Sequence, residues 1–418
     1  MSVVAANFGD HSFPPPPEPG LTPADVIARA EAISGGLVER QQETEDRTFY
    51  ALDTHESFTK AGFYRILVPR RFGGYEFGVD TFLKVSIALT RGCPSTGWMY
   101  TLGAAHALAV ATMFPEQAQE EVFANGDFIC PATVMPSGTA ERAEDGGWII
   151  NGTWGYNSGS PYASHMVGHV MVDHGNGPEP MMFIAPREQW RRLDDWGQQL
   201  GLRGSGSHSI TIENGHIPDH YTVRGHMSQF SIAGGTPGLR LTGNSQYAGG
   251  PLSFMNIESA VLAVGIAKGA LDAYEDLMRT RNTLFPTVVP RTHDPDYQYW
   301  YGESTGMIAT AEAAVLGATQ QWQDACARGG AAFTKEFEMR IATICRQVVQ
   351  LCWRAIEQHL MPTAGSSAAK RGARLERVWR DMSMLHTHAG FAVFLAAKAQ
   401  RELAKAVFEI SDIEEEPR

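Results

Sequence analysis

Between about Asp127 and Val223 the chain changes texture. Short β-rich runs (TVM, GWII, HMVGHVMV, PMMFIA, SITI) stand between clusters of Gly, Pro, Asn and Asp, whereas helical periodicity prevails on either side. An antiparallel β unit must therefore sit between two helical ones. The turn signals at Asp145 to Gly147 and at Asn151 and Gly152 bracket the strand Trp148 to Ile150 as hairpin turns would. Strand length and spacing favour a small barrel or sandwich.

Ahead of this unit, Thr22, Pro23 and Asp25 supply an N-cap, a proline at the first helical position and an acid in the first turn. The stretch with Phe82, Val85 and Leu89, and the run Trp98 to Phe114, read as buried helices. Behind it, Ile257, Val261, Val264, Leu271, Tyr274 and Met278 recur at helical steps, as do Ile341, Ile344, Val348, Leu351 and Ala355, and the stretch 374–404. The expected class is α+β. Residues 1–21 are a disordered Pro-rich leader, 22–126 an N-terminal helical domain, and 127–224 the β domain. Residues 225–250 are a Gly-rich loop serving as lid or pocket wall, and 251–418 a C-terminal four-helix bundle ending in the acidic tail DIEEEPR.

Composition narrows the function classes. A formal charge of -12 lacks the basic surplus of a nucleic-acid binder. No apolar run approaches the ~20 residues of a bilayer span, so no membrane partner is expected. The opening MSVVAANFGD lacks a basic then apolar leader, which makes the cytoplasm the expected location. Cys93, Cys130, Cys326, Cys345 and Cys352 show no CxxC spacing and read as reduced structural thiols, with no metal site.

Five segments carry a resemblance. "AGFYRILVPRRFGGYEFGVDTF", "GGWIINGTWGYNSG", "LGLRGSGSHSITIENGHIP", "VGIAKGALDAYEDLMRTRNTLF" and "RVWRDMSMLHTHAG" occur in the order and spacing of the acyl-CoA dehydrogenase superfamily, over roughly residues 25–405. A dehydrogenase of that superfamily needs a carboxylate base. The two family positions for it fall on Ala389 and Met255 here, and the nearest acid is Glu258. Beside the first empty position stands His388. With "STGWMYTLGAAHAL" and "PATVMPSG", this resembles the oxygenase components of two-component flavin-dependent monooxygenases, the para-hydroxyphenylacetate hydroxylase branch.

That resemblance implies an enzyme in which externally supplied, diffusible, non-covalent reduced FMN or FAD reacts with O2 to a C4a-hydroperoxyflavin that hydroxylates a small phenolic or indolic substrate. It implies His388, His106 and Ser158 as catalytic residues, Ser158 lying near flavin N5. Trp98, Thr133, Asn157, Ser158 and Arg281 become cofactor-binding residues, Arg281 reaching the flavin phosphate of a neighbour in a homotetramer. No GxGxxG is present for NAD(P)H, so a separate NAD(P)H:flavin reductase is the implied partner. Phe391 to Phe394 is apolar where related hydroxylases often carry an Asp.

Plain readings stand beside these. A lone His amid Ala, Leu and Val, as His106 is, is ordinarily a hydrogen-bonded core residue. GSGSH at Gly204 to His208 reads as a turn, since neither a strand-to-helix context nor a Lys follows. His386 and His388, about 200° apart on a helix, cannot share a metal, which leaves His386 at a surface or interface. The competing functions are an acyl-CoA dehydrogenase-like enzyme using Glu258, a flavin-dependent N-oxygenase, and a non-catalytic flavin-binding scaffold.

Overall fold

Thr22 opens the first helix through a reciprocal cap. Its hydroxyl accepts from the Asp25 N–H at 3.2 Å while the Asp25 carboxylate accepts from the Thr22 N–H at 3.0 Å. Such a cap contributes ~1 kcal/mol. In the computed structural model, which describes residues 15–144, 146–173, 175 and 177–410, six further helices follow by Val122. Most of the leader, Asp145, and the tail from 411 lie outside the described residues. The helices Val79–Gly92, Pro94–Ala104 and His106–Met113 are buried almost throughout, as their apolar runs require.

Seven strands follow: β1 (Thr139–Arg142), β2 (Trp148–Trp154), β3 (His165–Asp173), β4 (Pro178–Pro186), β5 (Arg191–Arg192), β6 (Ile210–Ile217) and β7 (Thr222–Arg224). Among the described residues they form two antiparallel sheets, β1-β2-β6-β5 and β3-β4-β7, rather than one closed barrel. The sheets touch through β1 with β3 and β4 with β6. Between them Ile150, Trp154, Val170, Phe183 and Ile212 are removed from solvent. The expected hairpin turn at Asn151 and Gly152 is not there. β2 runs straight through it to Trp154, with an irregular register between Ile150 and Gly152. The Asn151 side chain instead accepts from the Asn214 N–H at 2.7 Å, and a Cβ on Gly152 would lie 2.7 Å from the Gly138 Cα. The NG pair marks a bulge and a close chain crossing, not a reversal. TVM forms no strand; the residue before it, Ala132, makes a single bridge to Val167.

The segment after β7 is less irregular than its glycines suggest. Short helices at Met227–Gln229, Pro237–Thr242 and Ser245–Ala248 carry it to the long helix Pro251–Thr280. That helix packs against Val79–Gly92, Pro295–Arg328, Lys335–Arg354 and Arg374–Thr387 and forms the axis of the molecule. By length and composition it is apolar enough to cross a membrane, contrary to the expectation from the sequence; 78% of its most apolar window is buried. It is a core helix, apolar all round because neighbours surround it. All five cysteines are buried and free.

Candidate functional site

Ser158 lies in the turn after β2. Gly159 follows with φ +97, and a Cβ there would meet the Gly103 Cα at 3.0 Å, so glycine lets the turn lie directly on the Pro94–Ala104 helix. This contact brings three parts of the chain together. The Trp98 indole N–H donates to Ser158 Oγ at 2.9 Å, Ser158 Oγ shares a 2.7 Å hydrogen bond with Ser207 Oγ, and Ser207 Oγ shares another of 2.7 Å with Ser205 Oγ. All four side chains are buried. The result is an uncharged chain of hydroxyls anchored at one end on a donor that can only donate.

His388 sits against the other side of Trp98, ring centroids 5.6 Å apart and planes at 67°. The helix Arg374–Thr387 ends one residue earlier, so His388 is its C-cap with a non-helical backbone. The helical-wheel argument separating it from His386 therefore does not apply; the chain turns away between them. His386, half-buried, stacks on Trp353 with ring centroids 5.1 Å apart. The His388 ring keeps solvent access, yet the protein around it lowers its pKa by desolvation. Its Nδ1 accepts from the Gly390 N–H at 3.2 Å, which places the proton of the neutral ring on Nε2.

Thr133 is held by its backbone and Asn157 by its side-chain amide N–H, and each keeps one side-chain oxygen without a partner. Thr133 gives its N–H to Val167 O at 3.1 Å and its carbonyl to His169 Nδ1 at 2.8 Å, while its Oγ1 is buried without a partner. Asn157 donates to Trp154 O at 2.5 Å, and its Oδ1 is likewise buried and unpaired. Each of these oxygens is left able to bond to water or to a bound molecule. Arg281, just past the end of the Pro251–Thr280 helix, donates to Ser367 Oγ. Nothing places it beside Ser158 within one chain.

His106 is buried at the start of its helix, and its Nδ1 meets the Cys130 carbonyl at 2.7 Å. A carbonyl only accepts, so Nδ1 carries the proton and Nε2 keeps its lone pair. Burial takes the His106 pKa down to about 4, against the opposing pull of the Cys130 and Leu102 carbonyls. His106 lines a cavity of about 10 Å³ between its own helix and Pro251–Thr280, bounded also by Ala109, Phe254, Met255 and Glu258. That is room for about one water. Glu258 is 2% exposed, and desolvation pushes its carboxyl well above the usual range. A carboxyl held protonated is no base for an acyl-CoA.

Sequence reasoning missed Ser207 and Ser205, because GSGSH was read as a turn. It is an irregular loop, but one pinned into the site: the Ser160 hydroxyl donates to Gly206 O at 3.0 Å, and buried Asp381 accepts from the Leu202 N–H at 2.5 Å. Two serines spaced by one glycine just ahead of the β-type run SITI were the available signal. His169 was missed as well, being a histidine in the middle of an apolar strand.

The family model "Acyl-CoA dehydrogenase, C-terminal domain" matches residues 257–393. The chain is 30% identical to the flavin-dependent monooxygenase oxygenase subunit HsaA of Rhodococcus jostii, over 87% of this chain and 94% of that protein. It is 25% identical to the p-hydroxyphenylacetate 3-hydroxylase oxygenase component of Acinetobacter baumannii, over 89% and 86%. The crystal structure of 3-HSA hydroxylase from Rhodococcus sp. RHA1 superposes with a TM-score of 0.82 at 26% identity, covering 93% of this chain and 98% of that one.

Proposed function

Since the chain belongs to the flavin-dependent monooxygenase oxygenase subunits, we propose that the cluster around Ser158 holds reduced flavin and that His106 takes the proton of a small phenolic substrate. The protein is an oxygenase component that hydroxylates an aromatic compound with reduced flavin, delivered by a separate flavin reductase. The residues fit that cofactor. Thr133 Oγ1 and Asn157 Oδ1 are polar atoms awaiting partners, and a flavin ring edge offers both N–H and C=O groups to complete them. When bound, reduced flavin supplies the electrons and the activated oxygen, and the chain supplies orientation, dryness and proton management.

The observation that carries this reading is the hydroxyl chain from Trp98 through Ser158 to Ser205 with His388 set against the same indole. It binds by hydrogen bonds without introducing charge. The two histidines divide the remaining work by tautomer. His106 presents a bare Nε2 and accepts, whereas His388 presents Nε2–H and donates. Anaerobic titration of the purified protein should show reduced FMN or FAD binding more tightly than the oxidised form. With a flavin reductase, NADH and O2, phenols should yield hydroxylated products. A yellow protein that retains oxidised FAD and oxidises acyl-CoA would overturn the reading.

The proposal includes a homotetramer in which Arg281 reaches a neighbour's flavin phosphate. The chain after Arg281 exposes Leu284 and Phe285 at 79% and 82%, apolar surface of the sort an interface covers. Light scattering at micromolar concentration should give a tetramer; a clean monomer would contradict this. Arg281→Ala should weaken flavin binding about tenfold, the worth of a hydrogen bond to a charged group, with an unchanged melting temperature. Unaltered affinity would remove Arg281 from the site.

A further inference from the structure

The cavity lined by His106, Glu258 and Thr112 brings together two polar groups of opposite capacity, His106 and Glu258. His106 Nε2 has a lone pair and no proton. Glu258 Oε2 is buried with no hydrogen-bond partner, on a side chain 2% exposed. Apart from the Thr112 hydroxyl the remaining walls are apolar or small, the cavity has no lysine or arginine, and it has room for about one oxygen atom. A hydroxyl is the group that satisfies both sides at once, since it gives its proton to one partner and accepts from the other.

We propose that Glu258, as a neutral carboxylic acid, donates a hydrogen bond to the ring hydroxyl of the aromatic substrate while that hydroxyl's proton faces His106 Nε2. The inference rests on the phenolic reading above and names the group that selects for it. As His106 takes the proton, negative charge develops on the substrate oxygen, and a neutral donor aimed at that oxygen stabilises the charge where an ionised carboxylate would repel it. The raised pKa of Glu258 supports the protonated form. A carboxylic acid kept neutral by an apolar site so that it can donate is a known catalytic device. The same geometry sets specificity: a ring without the hydroxyl leaves both polar groups unpaired, and a ring carrying a carboxylate there meets no cation.

The test compares Glu258→Leu, which keeps the volume and removes the donor, with Glu258→Gln, which keeps a donor. Binding of 4-methylphenol and of toluene is measured by calorimetry on the anaerobic protein loaded with reduced FMN, together with melting temperatures. Wild type should prefer the phenol. Glu258→Leu should lose about 10- to 100-fold in 4-methylphenol affinity with toluene unaffected, and Glu258→Gln should stay within a few-fold of wild type. The Leu variant should also melt higher, because an unpaired buried polar group is replaced by an apolar one; a purely structural carboxyl would give the reverse. A phenol preference that survives in Glu258→Leu overturns the role of Glu258 and assigns the cavity to a resident water. Equal binding of both rings by wild type overturns the phenolic reading, and the Glu258 role with it.

Discussion

His106→Ala is expected to lower hydroxylation by ~100- to 10,000-fold, the range over which a positioned base contributes, while reduced-flavin affinity stays within a few-fold of wild type. The Cys130 carbonyl fixes the proton on Nδ1, and burial with a pKa down to about 4 keeps Nε2 unprotonated throughout the physiological range. Such a base is weak toward a free phenol of pKa ~10. It becomes adequate because the imidazolium and phenolate formed together are each other's counter-charge in a dry cavity. The loss in His106→Ala should shrink as pH rises toward the phenol's own ionisation, since the phenolate then carries the electron density unaided. His388→Ala should show no such recovery, because His388 donates through Nε2–H rather than accepting. Single-turnover product yields between pH 6 and 10 decide the matter. Recovery at high pH in the His388 variant and not in the His106 variant would reverse the assignment.

Much of this was written locally. The capping box at Thr22 to Asp25, the periodic faces around Val261 and Val348, and the β texture between them depend only on neighbours in sequence, so pattern and propensity disclose them. What stayed hidden depends on distant chain. Asn151 and Gly152 read as a turn because nothing local reveals that Gly138 crosses there or that Asn214 needs an acceptor. The helix at Pro251–Thr280 meets the length and apolarity of a membrane span, and only the helices packed around it explain why. The site follows the same division. His106, Ser158 and His388 stand out by type, but their roles turn on hydrogen-bond partners 24, 49 and 2 residues away respectively, and only the last of these is local. Ser207 and Ser205 had no chemical distinction until the fold placed them against Ser158.

Those serines lead to the second large effect. Ser158→Ala should still accept reduced flavin and O2, yet release H2O2 about ten- to a hundredfold faster relative to hydroxylated product. A serine hydroxyl has one proton and two lone pairs. Trp98 occupies one lone pair, and the bond with Ser207 uses either the proton or the other lone pair, so one capacity is left to face the flavin. Which one it is depends on the direction of the Ser158–Ser207 bond, and the chain can reverse without moving a heavy atom. Removing Ser158 Oγ strands the Trp98 N–H and deletes the flavin-side contact, a loss of ~1 to 3 kcal/mol, and each 1.4 kcal/mol is worth tenfold in rate. Ser207→Ala leaves Ser158 bonded to Trp98 and only frees its hydroxyl to rotate, so a smaller, few-fold rise in H2O2 is expected there. Peroxide and product measured together per reduced flavin consumed give both numbers. Wild-type coupling in Ser158→Ala would take Ser158 out of the reaction, and a Ser207 effect as large as that of Ser158 would mean that the chain relays a proton instead of merely orienting one hydroxyl.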